Sequence, residues 1–120
     1  MKYGIIIRNV TDLRAEPKFH SERKSQLLFN DPVEIKESRN NYSWIVQEDG
    51  YSGWVAENAV FVMGRKKFRD HINSYNYQIN ANIAPVISPR DAQCPPFLFY
   101  GTRIPVIDSR NGQNAFPAVN

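Results

Sequence analysis

At 120 residues, with 42% hydrophobic residues and a net charge of only +3, the chain is bounded to one or two small soluble domains with some anion affinity, which excludes a dedicated nucleic-acid binder. The single cysteine, Cys94, excludes an internal disulfide scaffold, and no segment approaches the roughly 18 apolar residues of a membrane span. The N-terminal run Ile5-Ile6-Ile7 is too short for the apolar core of a secretory signal. The expected compartment is therefore the cytoplasm, or the cell envelope if a signal has been removed.

Tyr3 to Arg8 reads as a strand because Ile5, Ile6 and Ile7 are β-branched and stiff at χ1, and Val10 to Arg14 continues it with Leu13 inward. Residues 15–24 are polar, contain Pro17, and form a loop of the kind that carries binding residues. Ser25 to Phe29 is a short apolar strand, and Asn30-Asp31-Pro32 a turn. Val33 and Ile35 alternate with Glu34 and Lys36, which is strand period. Asn40-Asn41 is the next turn, and Trp44 to Gln47 the next strand. Asp49-Gly50 then turns tightly, since Gly takes positive φ without penalty, into the strand Tyr51 to Val55. Ala56 to Ala59 allows one helical turn, and Val60 to Met63 closes the unit. Five short strands joined by tight turns predict a small closed barrel.

Residues 64–76 change character: Arg65-Lys66-Lys67-Phe68-Arg69 is basic, and Phe68 and Ile72 stand four residues apart. A short amphipathic helix and a linker both fit, and a domain boundary is expected here. The second half then repeats the first. Leu27-Leu28-Phe29-Asn30-Asp31-Pro32-Val33-Glu34-Ile35 aligns with Leu98-Phe99-Tyr100-Gly101-Thr102-Arg103-Ile104-Pro105-Val106 at a shift of 71 residues. Asn111-Gly112 stands where Asn40-Asn41 stood, and Phe116 to Val119 takes the place of Trp44 to Val46. Nothing follows that matches the Asp49–Val55 hairpin. The expected class is all-β: an SH3-like barrel over 1–63, a linker or short helix over 64–76, and a second, incomplete SH3-like barrel over 77–120. An incomplete barrel implies a fragment of a longer protein, a partner that supplies strands, or a truncated second copy.

Leu13-Arg14-Ala15-Glu16-Pro17, Ser21-Glu22, Ser25-Gln26-Leu27-Leu28-Phe29, Trp44 and Asp49-Gly50-Tyr51-Ser52-Gly53-Trp54-Val55 together resemble the bacterial SH3-type domain. More narrowly, they are similar to the tandem SH3 domains that precede the catalytic domain of NlpC-type cell-wall cysteine peptidases. The subgroup is the dipeptidyl-peptidase VI type, which cleaves γ-D-glutamyl-L-diamino acid bonds in peptidoglycan stem peptides. The resemblance implies that a Tyr of the hairpin and an acid of the long loop hold the free amino end of the stem peptide. Tyr51 matches the Tyr; Glu22 is the best match for the acid and Glu16 the second. A carboxylate pairs with an ammonium, and a phenol accepts from it. Where the family often has Gly-Glu the chain has Asn30-Asp31, and Asn tolerates the left-handed conformation that such a turn needs. The implied partners are a stem peptide and a C-terminal catalytic domain in a parent peptidase. No nucleic acid, cofactor or metal is expected.

Trp44 and Trp54 read first as core or rim residues; with Tyr42 they are also candidate groove aromatics. Tyr42, Tyr51 and Trp44 can mimic the aromatic row of a proline-peptide site, so a stand-alone protein- or peptide-interaction module is the alternative. The basic run from Arg65 reads as a solvated face. Cys94 has neither base nor orienting group nearby in sequence, since His20 and His71 lie far away in polar stretches. The chain itself is thus expected to be non-catalytic, with hydrolase activity belonging to a parent cysteine peptidase.

Overall fold

The computed structural model describes residues 2–87 and 94–117. Seven strands form one sheet: β1 (Lys2–Ile6), β2 (Val10–Arg14), β3 (Arg23–Leu28), β4 (Pro32–Arg39), β5 (Tyr42–Gln47), β6 (Ser52–Ala56) and β7 (Val60–Met63). Their spatial order is β3-β2-β6-β5-β4-β1-β7, and every pairing is antiparallel. The buried residues Ile6, Leu13, Leu27, Val33, Ile35, Ile45, Val55 and Val60 gather in one cluster. Each of the seven strands supplies at least one of them, so the sheet coils around a single core as a small SH3-like barrel.

One expectation is corrected here. Val10 to Arg14 does not continue the first strand: β1 ends at Ile6, and β2 pairs with β3 and β6 instead. Ile6 donates to and accepts from the 30–31 turn, which stops β1 at that point. The remaining turns follow their side chains. Gln47 accepts from Gly50 at 2.9 Å, Gly50 has φ +87°, and the Asp49 carboxylate accepts the Tyr51 N–H at 2.9 Å. This is a tight turn closed by a left-handed glycine. Gly53 is required for a different reason: a Cβ there would lie 2.7 Å from the Leu13 side chain, so β2 and β6 approach too closely for any larger residue. A single 3-10 turn spans Glu57–Ala59.

Of the two readings of the basic segment, the helix is correct: α1 runs Arg65–Asn73. Phe68 stacks on Tyr3 at 4.9 Å and packs with Ile5 and Met63, so the apolar side of α1 lies on the barrel while the basic residues face out.

The second unit contains β8 (Tyr77–Gln78), β9 (Ile83–Pro85), β10 (Phe97–Phe99), β11 (Arg103–Ile104), β12 (Asp108–Arg110) and β13 (Gln113–Ala115). Its ladders are β9–β10, β8–β11 and β12–β13. The predicted 71-residue repeat is present bond by bond. Asp31 donates to the Leu28 carbonyl as Thr102 does to that of Phe99. Asn30 (φ 69°) and Gly101 (φ 93°) are both left-handed, as are Asn40-Asn41 and Asn111-Gly112. Upstream of the 15–22 loop the shift becomes 73: Ile6 donates to the Asp31 carbonyl as Ile79 does to that of Thr102. By register, β13 takes the place of the start of β5, so Phe116 corresponds to Ile45; Ala118 and Val119 lie outside the described residues.

The two units interlock at one turn. Phe29 is 2% exposed and packs with Ile79, Leu98 and Ile104, inside the second unit's core. Asn30 donates from its side chain to the Arg103 carbonyl at 2.8 Å, and its own carbonyl accepts the Tyr75 hydroxyl at 2.6 Å. Arg103 bridges Asp31 at 3.4 Å and Glu48 at 2.6 Å.

Candidate functional site

The outer face of β5 and β6 carries the predicted aromatics. Cross-strand pairing places Tyr42 opposite Ala56, Trp44 opposite Trp54 and Val46 opposite Ser52. Directly opposed large side chains touch, and the two indoles meet edge to face at 5.3 Å. Trp54 is only 7% exposed, which agrees with a structural role, while Trp44 and Tyr42 are half-buried. The Arg39 guanidinium lies 5.7 Å from the Trp54 ring and is paired with Glu37 at 3.1 Å.

Tyr51 stands at the tip of the β5–β6 hairpin and is 45% exposed. Its backbone is pinned at both ends, by Asp49 and by Gln47, and among the described residues nothing bonds to its hydroxyl. The 15–22 loop is equally well fixed. Ala15 donates to the Glu22 carbonyl at 2.9 Å, closing the loop. Buried Ser21 donates to the Glu16 and Lys18 carbonyls, and Arg14 donates to the Ser21 carbonyl at 2.8 Å while lying over the Phe19 ring. Glu22 projects into solvent with no side-chain partner among the described residues. Glu16 is also exposed but faces Lys18 at 3.7 Å. The structure thus brings Tyr51 and Trp44 together on one face; Tyr42 shares their sheet, and Glu22 and Glu16 stand on the adjoining loop.

A residue that the sequence reading did not single out joins the aromatics. The β2–β3 register runs Leu13↔Ser25 and then Arg14↔Arg23, so Lys24 is left out of the pairing as a bulge residue. A bulge re-aims its side chain. The Lys24 ammonium lies 4.9 Å from the Tyr51 ring centre and 5.9 Å from that of Trp44, and it donates to the Ser52 carbonyl at 2.6 Å. Nothing in Arg23-Lys24-Ser25 marks this in the sequence, because a bulge is not visible in composition or period.

Elsewhere, burial pushes the Tyr75 phenol well above its ordinary range, against the pull of the Arg103 charge. Burial also raises the Asp31 carboxyl against the opposing pull of the Leu28 N–H and Arg103. The Glu48 hydrogen bond holds the Arg103 guanidinium still more firmly protonated. These groups belong to the interlock between the units. Among the described residues no group of three or more His, Cys, Asp or Glu side chains is placed to hold a metal ion, and no helix is long and apolar enough to cross a membrane.

Residues 13–60 match the family model of the bacterial dipeptidyl-peptidase Sh3 domain. No curated protein matches the chain. Among solved structures, the chain is similar to an NlpC/P60 family protein from Bacillus cereus ATCC 10987, with a TM-score of 0.71 at 16% sequence identity. That likeness covers 91% of this chain and 48% of the other, so the chain spans about half the length of its structural relative. At this identity the likeness is one of fold, and it extends beyond the first barrel. Residues 13–60 are thus similar to a bacterial SH3 domain, and the barrel that they build is of that type.

Proposed function

We propose that the chain is a non-catalytic recognition and targeting module for peptidoglycan stem peptides, acting beside the catalytic domain of a γ-D-glutamyl-L-diamino acid endopeptidase. In this reading it consists of tandem bacterial SH3 units, 1–63 and 77–120, joined by the helical segment 64–76. The observation that carries it is the exposed hairpin residue Tyr51, with an unengaged hydroxyl, on the same barrel as a hydrogen-bonded loop that presents Glu22 to solvent. A carboxylate and a phenol oxygen suit the free ammonium of a stem peptide's N-terminal L-Ala. Glu16 is the weaker candidate because Lys18 already faces it.

The test is a titration of the chain with L-Ala-γ-D-Glu-diamino acid tripeptide, followed by amide shifts. The expected shifts centre on Tyr51 and the 15–22 loop. Tyr51→Phe and Glu22→Gln should each weaken binding roughly tenfold, as loss of one hydrogen bond to a charged group does. Unchanged affinity in both variants would count against the reading.

A further inference from the structure

The Lys24 ammonium differs from every other cation on its face. Arg14 has Asp12 at 2.9 Å, Arg39 has Glu37 at 3.1 Å and Lys36 has Glu34 at 2.7 Å. Among the described residues no carboxylate pairs with Lys24. Its position is nevertheless well determined. The bulge aims it, the Tyr51 and Trp44 rings flank it, and the Ser52 carbonyl takes one of its three N–H donors. A half-buried ammonium held by two rings and one carbonyl has donors left for an anionic oxygen, and the flanking rings partly exclude the water that would otherwise compete.

Resting on the stem-peptide reading above, we infer that Lys24 is a specificity-determining residue that reads a free carboxylate on the ligand, next to the ammonium received by Tyr51 and Glu22. The chemistry fits a γ-linked D-Glu. Because the chain continues through its side-chain carboxyl, its α-carboxylate stays free, one residue from the N-terminal ammonium. The face of the Tyr51 ring is turned to the Lys24 ammonium at 4.9 Å, so a ligand group seated on Tyr51 meets that cation. The site is thus complementary to a zwitterion, and it discriminates a free α-carboxylate from its carboxamide. The carboxamide keeps the size and loses the charge, which leaves the Lys24 ammonium without a counter-ion.

The experiment compares two probes on the whole chain: the tripeptide with a free D-Glu α-carboxylate, and the same tripeptide with that group as a carboxamide. The wild-type chain should bind the carboxylate form roughly tenfold more tightly. Lys24→Met, which keeps an unbranched stem between the rings, should bind both forms equally, at the affinity that wild type shows for the carboxamide. Lys24→Arg should restore part of the preference. An unchanged amide spectrum away from β3, β5 and β6 verifies the fold of each variant, and Lys24→Gln replaces Lys24→Met if the latter does not fold. Equal binding of both peptides by wild type, or a preference that persists without the ammonium, overturns the role of Lys24 and leaves the stem-peptide reading standing. No binding of either peptide overturns that reading and this inference with it.

Discussion

In residues 2–63 eight buried apolar residues from seven strands meet in one cluster, whereas the buried cluster of the second unit joins its own Ile79, Leu98 and Ile104 to Phe29 of the first. Both units nevertheless make the same backbone bonds around the same left-handed positions. The comparison separates two things that usually coincide. Turn chemistry is enough to lay down the repeat, because Asn or Gly at 30, 40, 41, 101, 111 and 112 admits positive φ. The number of apolar side chains inside it decides how firmly the pattern holds, and there the second unit depends on the first.

The sharpest way to break this relation is Phe29→Ala. Truncating a fully buried Phe costs about 3–5 kcal/mol, and the loss should fall on the second unit. Hydrogen exchange should show Ile79, Gly101 and Thr102 losing protection well before the amides of β4 and β5. Uniform loss across both units would mean that Phe29 serves the first core instead.

A smaller effect sharpens the comparison of the two turns. The first unit has Asn at the second left-handed position (Asn41, φ 67°) where the second unit has Gly112 (φ 76°). Asn41→Gly relieves the left-handed cost but adds freedom to the unfolded chain, so a gain of under about 1 kcal/mol is expected in urea unfolding. Destabilisation would show that the Asn41 side chain contributes more than its backbone conformation.

The smallest expected effect concerns pH at the interlock. His71 sits edge-on to Tyr75 at 5.3 Å, with Nε2 3.5 Å from the Asn30 side-chain oxygen. Burial, and then the Lys67 charge, hold its pKa below the ordinary 6.5. The unfolded chain therefore takes up the proton first, so stability is level above about pH 6.5 and falls as pH drops from there towards the lowered folded value. Asp31, raised by burial, acts in the opposite sense over a lower window that starts near its ordinary 3.8. His71→Gln should flatten the decline of thermal stability between about pH 6.5 and 5; an unchanged slope would assign the decline to other groups.

Much of the fold was legible in the sequence because its determinants are local. Alternation at Val33 and Ile35, the Asp49-Gly50 turn and the paired Asn positions each act over a few residues. The repeat at 71 was readable because apolar runs and turn residues recur together; the change to 73 was hidden in the polar loop, where no periodicity marks a register. The break between β1 and β2 was missed because Ile7 prolongs the apolar run past the last ladder bond. At the site, Tyr51 and the two tryptophans could be named from their turn and their strand. Lys24 could not, because its position depends on a bulge in one strand and rings from two others. Phe29 looked like the end of a strand and is a core residue of the neighbouring unit, a tertiary fact with no local signal.

The turn shared by both cores also bears on how freely the two units move against each other. A flexible tether lets its ends sample many separations, and each simultaneous contact then loses that freedom. Here α1 lies on the barrel through Phe68, and its last turn and the residues after it meet the shared turn through His71 and Tyr75, so the connection is fastened to the first unit as well as to the second. A junction fixed in this way has little conformational freedom left to lose, so whatever engages one unit carries the other with it in a set orientation.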